Sequence, residues 1–228
     1  MINQNYKLLN DYDLFIFDLD DTLIKTEKYH YNSWLIILKK YKGAKFNIDF
    51  PTFCSKFHSN KKDNIKKYIQ DELNIYNYED LINEKNELYL EILNIEKNDI
   101  KMIDGAYNFL EKILHLNKKF VIVSNSLKSN IDFFLELFPI LKYSTKNYYR
   151  ELYKNKKPHP ECYQLVLDDF SNNKMVGFED SITGIHSMSQ IQNIDIIFVN
   201  NNEYYYYKYI IDNYKLKLII NSYDILKI

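Results

Sequence analysis

The apolar run Leu14-Phe15-Ile16-Phe17 stops abruptly at Asp18-Leu19-Asp20-Asp21-Thr22. A short, continuous apolar run of this kind reads as a strand buried on both faces, with residues 12–18 as its extent. Strands without polar alternation belong to parallel sheets covered by helices, so this stretch constrains the fold more than any other. Its polar end constrains the chemistry. In an extended segment residues i and i+2 project to the same side, so Asp18 and Asp20 are expected to converge while Asp21 points elsewhere. One carboxylate can attack an electrophile such as phosphorus, which splits one hard displacement into two easier ones. The other can protonate the leaving oxygen and later activate water. Taken alone, the pair reads equally as a solvated turn or a helix N-cap.

The remaining chain alternates. Residues 27–100 lack strong buried strands and read as amphipathic helices, for example over 33–41 and 81–93. Gly105 restarts an α/β pattern. The pattern predicts helices over 106–116, 130–137, 160–169 and 181–190, with strands ending at Ser124 and over 174–178, 195–199 and 216–220. Such alternation argues an α/β fold with a parallel sheet covered on both faces. The expected division is a core domain of residues 1–26 and 101–228 and a helical domain of residues 27–100. Asp18, Ser124 and Asp180 each end a strand in this scheme, which brings three distant stretches to the carboxyl edge of one sheet.

Three further stretches carry chemistry. Phe120-Val121-Ile122-Val123-Ser124-Asn125 is a buried-strand run closing on a hydroxyl. Lys157-Pro158-His159-Pro160-Glu161-Cys162-Tyr163 sets two prolines behind a lysine, and prolines that hold an extended approach and open a helix fix where that lysine points. Met175-Val176-Gly177-Phe178-Glu179-Asp180-Ser181-Ile182-Thr183-Gly184 ends a strand in two acids. Acids so placed suit magnesium, which takes one or two carboxylates and keeps several waters, or they complement a helix N-terminus.

Taken in order, the four stretches resemble the motifs of the haloacid dehalogenase-like phosphatases, and the resemblance covers essentially the whole chain. It implies a Rossmann-like, three-layer parallel sheet core with a small α-helical cap inserted after the first strand. Asp18 would be the nucleophile, Asp20 the acid and then the base, and Thr22 would steady the motif. Ser124, Asn125 and Lys157 would hold the transferring phosphoryl group, with Lys157 neutralising Asp18. Magnesium (Mg2+) would lie between Asp18, the Asp20 carbonyl and Asp180, with Glu179 bound directly or through water.

Within that family, Thr26, His30 and Trp34 look like the cap entry of β-phosphoglucomutases and related sugar-phosphate phosphatases. His30 would assist Asp20 or touch substrate, and Trp34 reads as cap core. The mutase pattern has an arginine loop further on, where this chain has His58-Ser59-Asn60-Lys61. Lys61 can bind a remote phosphate as a point charge but lacks arginine's bidentate fork. The expected activity is therefore a magnesium-dependent phosphatase for a small phosphomonoester such as a sugar phosphate. A phosphomutase, a dehalogenase, against which the second acid Asp20 argues, and a catalytically silent binding protein are the alternatives.

Composition narrows the partners. A formal net charge of −1 gives no global attraction to nucleic acid or anionic membrane, so affinity for phosphate must be local. Met1–Lys7 has no signal-peptide apolar region, and no apolar stretch approaches the ~20 residues that span a bilayer. A cytoplasmic monomer acting on a small phosphorylated metabolite is expected, without nucleic-acid or membrane partners. Cys54 and Cys162 read as ordinary thiols.

Overall fold

The computed structural model describes residues 5–57, 60, 62–200 and 207–226. Two compact units result, Met1–Lys25 with Lys101–Ile228, and Thr26–Ile100. In chain order, α1 (Asn5–Asp11) and β1 (Leu14–Phe17) open the first unit. The second unit holds α2 (Glu27–Lys42), α3 (Phe50–Lys56), α4 (Lys62–Lys67) and α5 (Tyr78–Ile95). The first unit resumes with α6 (Ala106–His115), β2 (Lys119–Val123), α7 (Lys128–Leu137), β3 (Lys146–Tyr148) and α8 (Glu161–Asp169). It closes with β4 (Met175–Glu179), α9 (Ile182–Ser189), β5 (Ile194–Val199), α10 (Tyr207–Asn213) and β6 (Leu218–Ile220).

The described strands form one six-stranded parallel sheet in the order β3-β2-β1-β4-β5-β6. Every residue of β1 and β4 is buried, which is why their sequences show no polar alternation. Between β1 and β4 the winding direction reverses, and in open α/β sheets the crevice at the carboxyl ends of such a strand pair is where ligands bind. Phe17 and Phe178 pair in register there and stack at 4.6 Å. Phe109 of α6 meets both rings edge-on, closing an aromatic core directly beneath the acidic ends of the strands. Gly177 leaves room for α9, since a Cβ at this position would lie 2.3 Å from the Met188 sulfur.

The strand expected over residues 12–18 pairs only over Leu14–Phe17, but the ladder reaches one residue further. The Asp18 N–H donates to Phe178 O at 3.0 Å, which fixes the backbone of Asp18 to β4. The four helices expected in the resumed α/β unit, α6 to α9, lie within two residues of their expected ends, whereas α10 was not expected. The last strand is shorter than expected and pairs over Leu218–Ile220, although the Lys217 N–H already donates to Ile196 O one residue earlier.

Among its described residues the second unit holds helices joined by short irregular segments, and no strand. Its insertion does not disturb the sheet because the chain leaves and returns side by side. The Lys25 N–H donates to Lys101 O, the Ile103 N–H donates to Leu23 O, and Ile24 bridges antiparallel to Met102. Within the unit α2 packs on α5, and Trp34 is buried with its ring 4.3 Å from that of Phe57. Among the described residues no helix is long and apolar enough to cross a membrane. Cys54 and Cys162 are buried and are not joined in a disulfide.

Candidate active site

Lys157 stands at the centre of the polar cluster on the strand ends. Its side chain is 3% exposed, and its ammonium donates to Asp18 Oδ1 at 2.7 Å, Val123 O at 2.8 Å and Glu179 Oε1 at 2.5 Å. Three acceptors match the three donors of an ammonium. The loop that carries it is pinned from several sides. The Asn125 side chain accepts from the Lys157 N–H at 3.1 Å and donates to Lys157 O at 3.4 Å. The Glu161 carboxylate accepts the backbone N–H groups of Lys154 and Asn155 at 2.7 and 2.8 Å. The Tyr153 hydroxyl donates to Ser124 O at 2.6 Å. The side chain of Asn125, a position expected near the phosphoryl group, brackets the lysine backbone.

Glu179 is fully buried and its carboxylate is held at both oxygens. Oε1 accepts from Lys157 and from the Tyr163 hydroxyl at 2.7 Å, while Oε2 accepts from the N–H and hydroxyl of Ser181 at 3.3 and 3.1 Å. Ser181 also caps α9, accepting the Gly184 N–H at 3.0 Å. Gly184 lies against this carboxylate so closely that a Cβ would sit 1.9 Å from Oε1. Gly184→Ala is therefore expected to displace Glu179, costing about 1–3 kcal/mol as overpacking does, and to lower activity by moving Lys157 with it. Thermal melting and phosphate release check this; a Gly184→Ala protein that melts and turns over like the parent would refute the close contact.

The cluster is rich in negative charge. Asp18, Glu179 and Asp180 are buried, and each offers a carboxylate oxygen within 4.8 Å of the others. Burial pushes the Asp18 carboxyl well above its ordinary pKa, and Glu179 and Asp20 push the same way against the pull of Lys157. For Lys157 burial acts to remove the charge, but Asp18 and Glu179 outweigh it and hold its pKa well above the usual lysine value. One fixed cation thus faces several carboxylates. A donor set of carboxylate oxygens, without sulfur or imidazole, fits a hard divalent cation of the magnesium type. Asp18, Glu179 and Asp180 supply that set, and both Glu179 oxygens also accept hydrogen bonds. Asp180 Oδ1 accepts from the Thr22 hydroxyl at 3.1 Å, so Thr22 orients it.

Asp20 lies across from this group. Its Oδ2 accepts from the Ser126 hydroxyl at 2.6 Å and from the Ser124 hydroxyl at 3.3 Å. The turn behind it places Asp21 at φ 55, the left-handed region that favours glycine and that Asp tolerates better than most residues. The Asp21 N–H donates to Ile24 O at 2.7 Å and closes the loop.

The structure brings Asp18, Asp20, Thr22, Ser124, Asn125, Lys157, Glu179 and Asp180 together in the first unit. His30 belongs to the second unit, where its ring stacks on Tyr89 at 4.1 Å and its Nδ1 lies 3.1 Å from the Lys85 ammonium. Lys61, with His58 and Ser59, lies outside the described residues. Sequence reading missed Ser126, Tyr163 and Lys85. Ser126 follows a recognised motif by two residues and Tyr163 closes the proline segment, so their positions were a signal. Lys85 offered none among the many lysines of the chain.

An open sheet with acids, a buried lysine and hydroxyls at its switch point defines a doubly wound α/β enzyme fold. Residues 15–199 match the family model described as haloacid dehalogenase-like hydrolase, and the chain belongs to that family. Solved structures agree in fold. A haloacid dehalogenase-like hydrolase of family IA, variant 3, from Entamoeba histolytica superposes with a TM-score of 0.78 at 23% identity, covering 95% of this chain and 96% of that one. A β-phosphoglucomutase from Clostridium difficile gives 0.73 at 24%, covering 94% and 93%. A family hydrolase from Deinococcus radiodurans with bound phosphate and sodium gives 0.72 at 18%, covering 95% and 93%.

Proposed function

We propose that this chain is a magnesium-dependent phosphatase acting on a small phosphomonoester, such as a sugar phosphate, through an aspartyl-phosphate on Asp18. The observation that carries the reading is the buried Lys157 ammonium 2.7 Å from Asp18, at a strand end that also gathers Asp180 and Asp20. An Asp18 oxygen attacks phosphorus and the bond to the leaving oxygen breaks, while Asp20 gives that oxygen its proton. Water then attacks the aspartyl-phosphate, Asp20 takes the proton, and the bond to Asp18 breaks to release inorganic phosphate. Lys157 and Ser124 hold the phosphoryl oxygens where negative charge builds. Magnesium, held by Asp18, Asp180 and the Asp20 carbonyl, would neutralise carboxylates and phosphate that otherwise repel one another. The neighbour with bound phosphate supports the ligand class. Substrate choice is assigned to the Thr26–Ile100 unit as a cap domain, with His30 as its candidate residue.

Likeness to a β-phosphoglucomutase favours a second reading, a phosphomutase with the same core residues. One assay separates the two. The phosphatase reading expects inorganic phosphate from several phosphomonoesters, abolished by EDTA and restored by magnesium, with no need for a bisphosphate primer. Conversion of β-glucose 1-phosphate to glucose 6-phosphate with negligible phosphate release would establish the mutase. Undiminished phosphate release in EDTA would exclude the metal.

A further inference from the structure

The Asp20 carboxylate sits on a loop, and the terminal torsion of an aspartate is broad and soft. An acid that must meet a leaving oxygen within hydrogen-bond reach needs something to fix that torsion. Two hydroxyls converge on Asp20 Oδ2, and they are not equivalent. Ser126 donates at 2.6 Å, the length of a strong hydroxyl-to-carboxylate bond, whereas Ser124 donates at a weak 3.3 Å. The Ser126 N–H also donates to Ser124 Oγ at 3.0 Å, so Ser126 orients the neighbouring hydroxyl as well. Its own backbone is held in turn, because Ser126 O accepts the Arg150 N–H at 3.0 Å.

We propose that Ser126 is a positioning residue for Asp20: its hydroxyl holds the carboxylate in place while Ser124 turns to the phosphoryl group. This rests on the phosphatase reading, in which Asp20 protonates the leaving oxygen and Ser124 binds phosphate. In that reading a bound phosphoryl group competes for the Ser124 hydroxyl, and its long bond to Asp20 is the one that is given up. The short bond from Ser126 to the acid is kept. The inference separates two serines of one motif, one serving the phosphate and one serving the proton.

Leaving-group dependence tests it. Departure of p-nitrophenolate needs little help from an acid, whereas phenolate is a much poorer leaving group and needs the proton. Two aryl esters of similar shape keep substrate selection constant. The quantity to read is kcat/KM, which reports the steps up to leaving-group departure. In magnesium, Ser126→Ala is expected to lower kcat/KM for phenyl phosphate by roughly 10- to 100-fold, as loss of a charge-assisted hydrogen bond would. For p-nitrophenyl phosphate the loss should stay within a few-fold, and Ser126→Thr, which keeps a hydroxyl, should recover most of the phenyl phosphate rate. An equal loss on both esters, or no loss on phenyl phosphate, would overturn the positioning role while leaving the phosphatase reading intact. A parent protein that releases phosphate from neither ester in magnesium would instead remove the reading itself, and the inference with it.

Discussion

Asp18→Asn is expected to reduce phosphate release by roughly 10⁴–10⁶-fold, the scale seen when a member of a covalent catalytic set is removed. The amide keeps the shape of the side chain but has no charged oxygen to attack phosphorus. The fold should survive. Lys157 retains Val123 O and Glu179, and one buried negative charge is removed from a cluster in which Glu179 and Asp20 already press on Asp18. Melting in EDTA should therefore come at the parent temperature or above it. Loss of the Asp18 oxygen as a cation ligand should also shrink any rise in melting temperature on adding magnesium. Phosphate release at the parent rate from a folded Asp18→Asn protein would end the nucleophile assignment.

Much of the fold was legible because its signals are local. The strand β1 is an unbroken apolar run, and β2 and β4 carry the runs 120–123 and 175–178, which identify buried parallel strands without reference to anything distant. The acids and hydroxyls that follow them fall at the carboxyl ends by chain order alone, and the proline segment marks Lys157 against its neighbours Lys154 and Lys156. Sequence could not supply the partner of each polar atom. Ser126 meets Asp20 only after β1 and β2, far apart in the chain, have paired, and Tyr163 meets Glu179 only once α8 has packed on the sheet. Asn125 and Glu179 show the limit from the other side. Their residue types suited phosphate and metal, and what the sequence did not show is that their side chains also hold the Lys157 loop and ammonium. A lysine among thirty basic residues, such as Lys85, becomes distinct only when burial sets it beside His30.

Lys157→Met should be the most damaging single change, because it removes a charge on which two buried carboxylates depend. Breaking a buried pair by deleting one partner costs about 3–5 kcal/mol, since the remaining charge stays desolvated and unpaired. Glu179 would keep the Tyr163 and Ser181 donors but lose its only cationic contact among the bonds described, and Asp18 would lose the same ammonium. Melting in EDTA reads this loss free of any cation that could stand in for the lysine. The double variant Lys157→Met, Glu179→Gln removes the carboxylate charge along with the ammonium and is expected to recover a large part of the stability. Activity should not return with it, because a methionine cannot hold phosphoryl oxygens against the charge on Asp18. The pair of measurements separates the two roles of the lysine. A Lys157→Met protein as stable as the parent would show that the buried pairing does not hold the site together, and a stable double variant that turned over phosphate normally would show that the chemistry does not need Lys157.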